Sequence, residues 1–108
     1  MQKRIIISVT LLLLATFRLP VVAQEVFQKE FIEKGRSIYS QNCSPCHGPQ
    51  MADPQGAFDL RIFPPEQKNR FLNSVTNGKN GMPPWGGLFN KSEIESLWAY
   101  VMAGEKKN

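Results

Sequence analysis

The chain has 108 residues, with 13 basic and 9 acidic side chains, two cysteines and a single histidine. The basic excess is concentrated at the amino end, because removal of Lys3, Arg4 and Arg18 leaves ten basic against nine acidic side chains, a net charge of +1. A nearly neutral domain gives no support to nucleic-acid binding, which needs a basic surface. The length allows one small domain with a modest core, which commonly needs a covalent or cofactor staple.

The first 23 residues have the composition of a secretory signal peptide. A basic start, Met1–Arg4, precedes a mostly apolar run, Ile5–Phe17, and small residues follow up to Ala23. The apolar run is shorter than the about 20 residues that a membrane span requires, and Arg18 interrupts it. We predict cleavage after Ala23 and export to the periplasm. The alternative is an uncleaved membrane anchor.

Three stretches of the remaining domain, residues 24–108, have helical character. Apolar residues recur at steps of three and four over Gln24–Gln41. Prolines and an acidic residue favour a second helix start at Pro64–Glu66, with a stop at Asn77-Gly78. Ser92–Glu95 has the pattern of a capping box for a last helix that ends at Gly104, followed by a frayed tail. No stretch has a clear strand pattern, so the predicted fold is all-α.

The segment Cys43-Ser44-Pro45-Cys46-His47 follows the first predicted helix. Cys-x-x-Cys-His is the sequence form of covalent haem attachment, in which two thiols form thioethers and the histidine reaches the iron. A dithiol redox site is expected in a βαβ context, which this helical pattern lacks. A zinc site needs about four ligands, and these three residues are the only Cys or His present. Two inert buried thiols are the remaining alternative.

A ligand for the second face of the iron is predicted at Met82, 35 residues after His47 in a loop rich in glycine and proline. Met1 belongs to the predicted signal peptide. Met51 follows the histidine too closely, and Met102 lies in the last helix, where packing explains it better. A thioether sulfur raises the reduction potential relative to a second histidine. The predicted iron ligands are therefore His47 and Met82.

On these residues, from about Phe31 to Gly104, the chain resembles the class I c-type cytochromes. The resemblance implies a cytochrome c fold, with three main helices and loops wrapped round one covalent haem c. It also implies that Gly35 and Tyr39 pack against the last helix. Gly35 would otherwise be unfavourable in mid-helix by about 1 kcal/mol relative to alanine.

The resemblance also implies a partner for the axial histidine, and the loop residues indicate which side chains surround the haem. The Nδ1–H group of His47 is expected to donate to a proline carbonyl, and of the two candidates, Pro49 and Pro54, spacing favours the second. Trp85 is expected either to cover the haem or to pack in its loop. The residues predicted to line the haem pocket are Phe58, Leu60, Ile62 and Phe63. Arg61 and Lys79 are candidates for contact with the haem propionates, but a solvated surface charge is the favoured interpretation of each.

The resulting functional hypothesis is a soluble, exported protein that carries one electron on a His/Met haem. We predict no enzymatic activity, because the only histidine and both cysteines are already assigned to the haem. The resemblance implies redox protein partners: a periplasmic dehydrogenase as candidate donor, and a terminal oxidase or another cytochrome as acceptor. The alternatives are a haem subunit held tightly by such a dehydrogenase, a gas sensor with a labile sixth ligand, and a thiol–disulfide protein without haem.

Overall fold

The computed structural model describes residues 21–105, which form helices joined by loops. The α-helices are α1 (Val21–Asn42), α2 (Ser44–His47), α3 (Lys68–Asn77) and α4 (Lys91–Ala103). Short 3₁₀ turns occupy the connections at Pro49–Met51, Leu60–Ile62, Pro65–Gln67 and Trp85–Gly87. Within these described residues β pairing is limited to one isolated bridge, Lys79 with Met82. The all-α prediction is confirmed; the predicted signal peptide lies outside the described residues, except for its last three residues, with which α1 begins.

The crossing of α1 and α4 organises the domain, and Gly35 lies at its closest point. A Cβ atom on Gly35 would lie 1.9 Å from the backbone oxygen of Ser96, so no larger residue fits without moving a helix. One turn later, the rings of Tyr39 and Tyr100 pack with centroids 5.2 Å apart. Both side chains are almost fully buried. The predicted packing of Gly35 and Tyr39 against the last helix is confirmed.

The start of α4 differs from the prediction by two residues. Asn90, not Ser92, is the N-cap: its side chain accepts a hydrogen bond from the Glu93 backbone N–H at 2.9 Å. The Glu93 carboxylate in turn accepts from the Asn90 N–H at 3.1 Å. Asparagine caps helices as well as serine does, so the earlier residue takes the role. Glu95, which was expected to complete the box, instead pairs with Lys68 of α3 at 2.6 Å.

The helix α3 begins later than expected and ends where expected. The prolines open a 3₁₀ turn, Pro65–Gln67, and regular α-helix follows from Lys68 to Asn77. Gly78 ends it with φ of 77°. None of the helices in the described part of the chain combines the length and the apolar character needed to cross a membrane. The buried apolar residues form one core: Ile38, Tyr39, Met51, Phe63, Phe71, Val75, Ile94, Leu97, Tyr100 and Val101.

The end of the described chain is tied to α1. The Glu105 carboxylate accepts hydrogen bonds from Arg36 Nη1 at 2.8 Å and from the Tyr100 hydroxyl at 2.5 Å. Burial and then this carboxylate raise the pKa of Tyr100. The prediction of a frayed tail is therefore wrong for Glu105, because two donors hold it. The rest of the predicted tail lies outside the described residues.

Candidate haem site

The two cysteines and the histidine lie on a single helical turn that follows α1. The backbone N–H groups of Cys46 and His47 both donate to the Cys43 carbonyl, at 3.2 and 2.9 Å. Residues three positions apart on such a turn face the same side, so the two thiols point in similar directions. Cys43 is half-buried and Cys46 is exposed. The turn can therefore present two thiols and one imidazole to one ligand.

The environment of Cys43 does not resemble that of a reactive dithiol. Burial, with a smaller contribution from the neighbouring Cys46, raises the pKa of the Cys43 thiol to about 11. Redox-active cysteines have lowered pKa values, because the thiolate is the attacking species. Cys43 is thus a neutral thiol at physiological pH, which argues against a thiol–disulfide function.

The His47 ring is held by a backbone carbonyl, but not by one of the proline carbonyls. Its Nδ1 lies 3.0 Å from the carbonyl oxygen of Phe58. A carbonyl can only accept, so Nδ1 carries the proton, and Nε2 keeps the lone pair that a metal needs. The expectation of Pro54 or Pro49 is wrong, because the loop folds back under the turn, with Gln55 N–H donating to the Cys46 carbonyl at 2.9 Å. That return places the later residue Phe58 beside the imidazole.

The residue that supplies this carbonyl is itself held by aromatic and cationic neighbours. The rings of Phe58 and Phe63 meet edge-on, with centroids 5.8 Å apart. The Arg70 guanidinium lies 4.6 Å from the Phe63 ring centre and 5.8 Å from that of Phe58. Such cation–π contacts contribute about 0.5–1 kcal/mol at exposed sites. They add to the stability of the loop that orients His47.

Met82 lies in a loop whose backbone is closed on itself. The N–H of Lys79 donates to the Met82 carbonyl at 3.1 Å, and the Met82 N–H donates to the Lys79 carbonyl at 3.0 Å. Gly78 allows this close return, since a Cβ there would lie 2.8 Å from the Met82 oxygen. Two prolines follow Met82 and restrict the backbone further. A half-buried thioether is thus presented from a stiff loop.

The other candidate residues have identified surroundings. Met51 is 2% exposed and belongs to the core, and Met102 packs partly buried against it. Trp85 stacks on Phe89 with centroids 5.9 Å apart. Arg61 pairs with Asp59 at 2.9 Å and lowers the pKa of that carboxyl group. Lys79, the second possible propionate partner, is exposed.

Large apolar side chains lie exposed in the loop that follows the His47 turn and in the loop that carries Met82. Phe58 and Ile62 follow the histidine turn, and Leu88 follows Met82; their exposed fractions are 47%, 69% and 64%. Of the predicted pocket lining, Phe63 is instead buried in the core and Leu60 is half-buried. Two thiols and an imidazole nitrogen on one turn, together with exposed apolar side chains in the loops that follow it, fit a large flat apolar group that carries iron. These residues therefore fit a haem.

Two contributors to the site were missed by the sequence reasoning. One is the Phe58 carbonyl, and the other is the Tyr39 hydroxyl, which donates to the carbonyl of Gly48 directly after the histidine. A backbone carbonyl leaves no mark in a sequence. A tyrosine at position 39 is a signal of a buried hydrogen bond, because phenylalanine would supply the same ring for packing.

Comparison with known proteins identifies the family. The family described as cytochrome c oxidase, cbb3-type, subunit III matches residues 30–101. Cytochrome c6 of Petalonia fascia is 31% identical over 70% of this chain and 95% of its own, and cytochrome c6 of Cyanidium caldarium is 33% identical over 99% and 98%. The cbb3-type cytochrome c oxidase subunit CcoP of Azospirillum brasilense is 31% identical, over 64% of this chain but 27% of its own.

No solved structure matches the chain significantly. The family match covers most of the described domain, and the cytochrome c6 similarity extends over nearly the whole of those relatives. The helical fold agrees with both. The chain belongs to the cytochrome c family: it is a small class I c-type cytochrome with covalently bound haem c.

Proposed function

We propose that this protein carries single electrons between redox partners on a haem held by Cys43, Cys46, His47 and Met82. The observation that supports this assignment is the His47 ring, whose Nδ1 is bonded to the Phe58 carbonyl on the turn that carries both thiols. Bound haem supplies the reversible one-electron chemistry of its iron. In this proposal the two thiols would hold the haem covalently, and Nε2 of His47 would bind its iron.

The loop around Met82 favours electron transfer over catalysis. Met82 would supply a thioether sulfur to the iron, and its two backbone hydrogen bonds with Lys79 restrict the loop that carries it. With His47 and Met82 both bound, the iron would have no open site for a small molecule. Soft sulfur also favours the reduced state and so raises the reduction potential. The chain is an electron-transfer protein, and we propose that it has no enzymatic activity of its own.

The proposed location is the periplasm, reached through the signal peptide of the first 23 residues. A chain cleaved after Ala23 would carry a net charge of +1 before the haem propionates are counted. Exposed Phe58, Ile62 and Leu88 would surround the haem edge and give a mainly apolar contact. Small interfaces of this kind suit brief encounters between redox proteins. The proposed donor is a periplasmic dehydrogenase, and the proposed acceptor is a terminal oxidase or another cytochrome.

A second candidate is a haem subunit held permanently by a larger redox enzyme. The matches to a cbb3-type oxidase subunit family and to CcoP favour it. CcoP, however, is matched over only 27% of its length, whereas the two cytochromes c6 are matched over 95% and 98%. The fuller coverage of the two cytochromes c6 favours the carrier over the permanently held subunit.

The test is the absorption spectrum of the protein exported by a host that attaches haem to c-type cytochromes. Spectra of the oxidised form, the reduced form and the reduced form under carbon monoxide distinguish an electron-transfer protein from a gas sensor and from a protein without haem. A low-spin reduced spectrum that carbon monoxide leaves unchanged is the expected result. A shift under carbon monoxide would indicate a labile sixth ligand and a gas sensor. Protein without covalent haem would refute the proposal.

A further inference from the structure

The Tyr39 hydroxyl makes a buried hydrogen bond to the chain directly after the axial histidine. Tyr39 is 1% exposed and lies on α1, eight residues before His47. Its hydroxyl donates to the Gly48 carbonyl at 2.6 Å. Phenylalanine would provide the same ring for packing between α1 and α4, so the hydroxyl adds only this bond. The bond therefore links the helix crossing to the haem-binding turn.

The corner that begins at Gly48 has no room for a side chain. Gly48 has φ of 86°, and a Cβ atom there would lie 1.6 Å from the backbone oxygen of Ala52. The Met51 N–H donates to the same Gly48 carbonyl, but at 3.2 Å. The Tyr39 hydroxyl is thus the closer of the two donors to a carbonyl inside the fold. Burial raises the pKa of Tyr39 to about 12, so the hydroxyl keeps its proton at physiological pH.

We propose that the Tyr39 hydroxyl is a positioning group for His47 and acts through the Gly48 carbonyl. The inference rests on the proposed function, because it assumes that His47 binds the haem iron. The side chain of His47 is held at Nδ1 by Phe58, and its backbone is held on the following residue by Tyr39. One bond holds the imidazole ring and the other holds the backbone of the next residue, so together they restrict the orientation of the imidazole.

Loss of the hydroxyl would remove one of these two bonds. The Gly48 carbonyl would keep only the 3.2 Å hydrogen bond from the Met51 N–H. Loss of a hydrogen bond to a buried carbonyl lowers the stability of the folded state. The corner would then open more often and admit water near the imidazole. Water stabilises the more highly charged oxidised iron, so the reduction potential of the holoprotein would fall.

The chain offers a matched control in Tyr100. Its ring is as deeply buried as that of Tyr39 and packs against it, with centroids 5.2 Å apart. Its hydroxyl donates to Glu105 at the end of the described chain, not to the haem-binding turn. The variants Tyr39→Phe and Tyr100→Phe each remove one buried hydroxyl from the same helix crossing. They differ in what that hydroxyl holds.

The experiment compares the two holoprotein variants with the wild type. In Tyr39→Phe we expect about tenfold faster hydrogen exchange of the Met51 amide, a lower midpoint potential and displaced NMR signals of the His47 ring. In Tyr100→Phe we expect these three quantities to stay close to wild type. Equal changes in both variants, or no change in Tyr39→Phe, would overturn the inference.

Two further observations keep the test decisive. If Tyr39→Phe does not fold, the wild type alone suffices, because the Tyr39 hydroxyl proton should be visible by NMR and exchange slowly with water. Rapid exchange of that proton would overturn the inference. If the wild type carries haem on His47 and Tyr39→Phe changes none of the three quantities, the inference is wrong but the proposed function stands. Wild-type protein without haem on His47 refutes both.

Discussion

At the scale of single residues, His47 shows what a local motif specifies and what it leaves to the fold. Its role as a haem ligand is predictable, because Cys-x-x-Cys-His is contiguous and the chemistry requires those residue types in that order. The acceptor for its Nδ1 is not predictable, since Phe58 lies eleven residues away and reaches the ring only after the loop folds back. Spacing alone favoured Pro54, and the tertiary path of the loop decided otherwise.

Met82→Ala tests the proposed distal ligand. Removing the sulfur is expected to open the sixth coordination position, so the variant should bind carbon monoxide and have a lower reduction potential than the wild type. The measurements are the reduced spectrum under carbon monoxide and a potentiometric titration. Met102→Ala is the control, because that side chain packs against the core from α4. An unchanged spectrum and potential in Met82→Ala would remove Met82 from the iron.

At the scale of elements, two competing effects decide whether a substitution at the helix crossing raises or lowers the free energy of unfolding. Gly35→Ala would gain about 1 kcal/mol from helix propensity. The new Cβ would, however, lie 1.9 Å from the Ser96 oxygen, a backbone atom that cannot rotate away. Overpacking costs about 1–3 kcal/mol and more where backbone must move, so the clash should dominate.

The expected result for Gly35→Ala is a net loss of at least about 1–2 kcal/mol in the free energy of unfolding, measured by urea denaturation of the holoprotein. Gly87→Ala is the matched control, since a Cβ at Gly87 would meet nothing within 4 Å. That variant should lie within about 0.5 kcal/mol of the wild type. A stabilised Gly35→Ala protein would show that the two helices do not approach this closely.

The N-terminus of α4 gives a second test, because sequence and structure assign the cap differently. Asn90→Ala removes the side chain that accepts from Glu93 and should destabilise the protein by about 1 kcal/mol. Ser92→Ala should be nearly neutral, since the exposed Ser92 lies inside the first turn. Thermal unfolding of both variants measures the difference. A larger loss of stability in Ser92→Ala than in Asn90→Ala would show that Ser92 is the N-cap, as the sequence suggested.

The predictability of the elements follows from how local their causes are. The stripe of α4 and the stop of α3 at Gly78 depend on periodicity and on one glycine, and both were predicted within a few residues. The cap of α4 was misplaced because Asn90 and Ser92 each have an acidic residue three positions later. Only the hydrogen bonds of the folded chain show which of the two capping boxes is formed. The tether on Glu105 was missed because its donors, Arg36 and Tyr100, meet it only in the folded chain.

At the scale of the whole molecule, we expect the haem to contribute to the stability of the fold as well as to the function. The described domain has a core of ten buried apolar residues. Phe58, Ile62 and Leu88 are left 47–69% exposed. A domain of this size is expected to be marginally stable on its core alone. Haem held by two thioethers would cover these side chains and would join the chain covalently to a large apolar group.

The haem-free protein is therefore expected to be much less stable than the holoprotein. The variant Cys43→Ala/Cys46→Ala, prepared without haem, should lose at least about 3 kcal/mol, because full burial of a large apolar side chain contributes about 1.5–3 kcal/mol. Urea unfolding followed by far-ultraviolet circular dichroism measures the loss. Holoprotein carrying Cys46→Ala alone keeps one covalent bond to the haem and should lie between the two. Equal stability of haem-free and haem-bound protein would mean that Phe58, Ile62 and Leu88 form no part of the haem pocket.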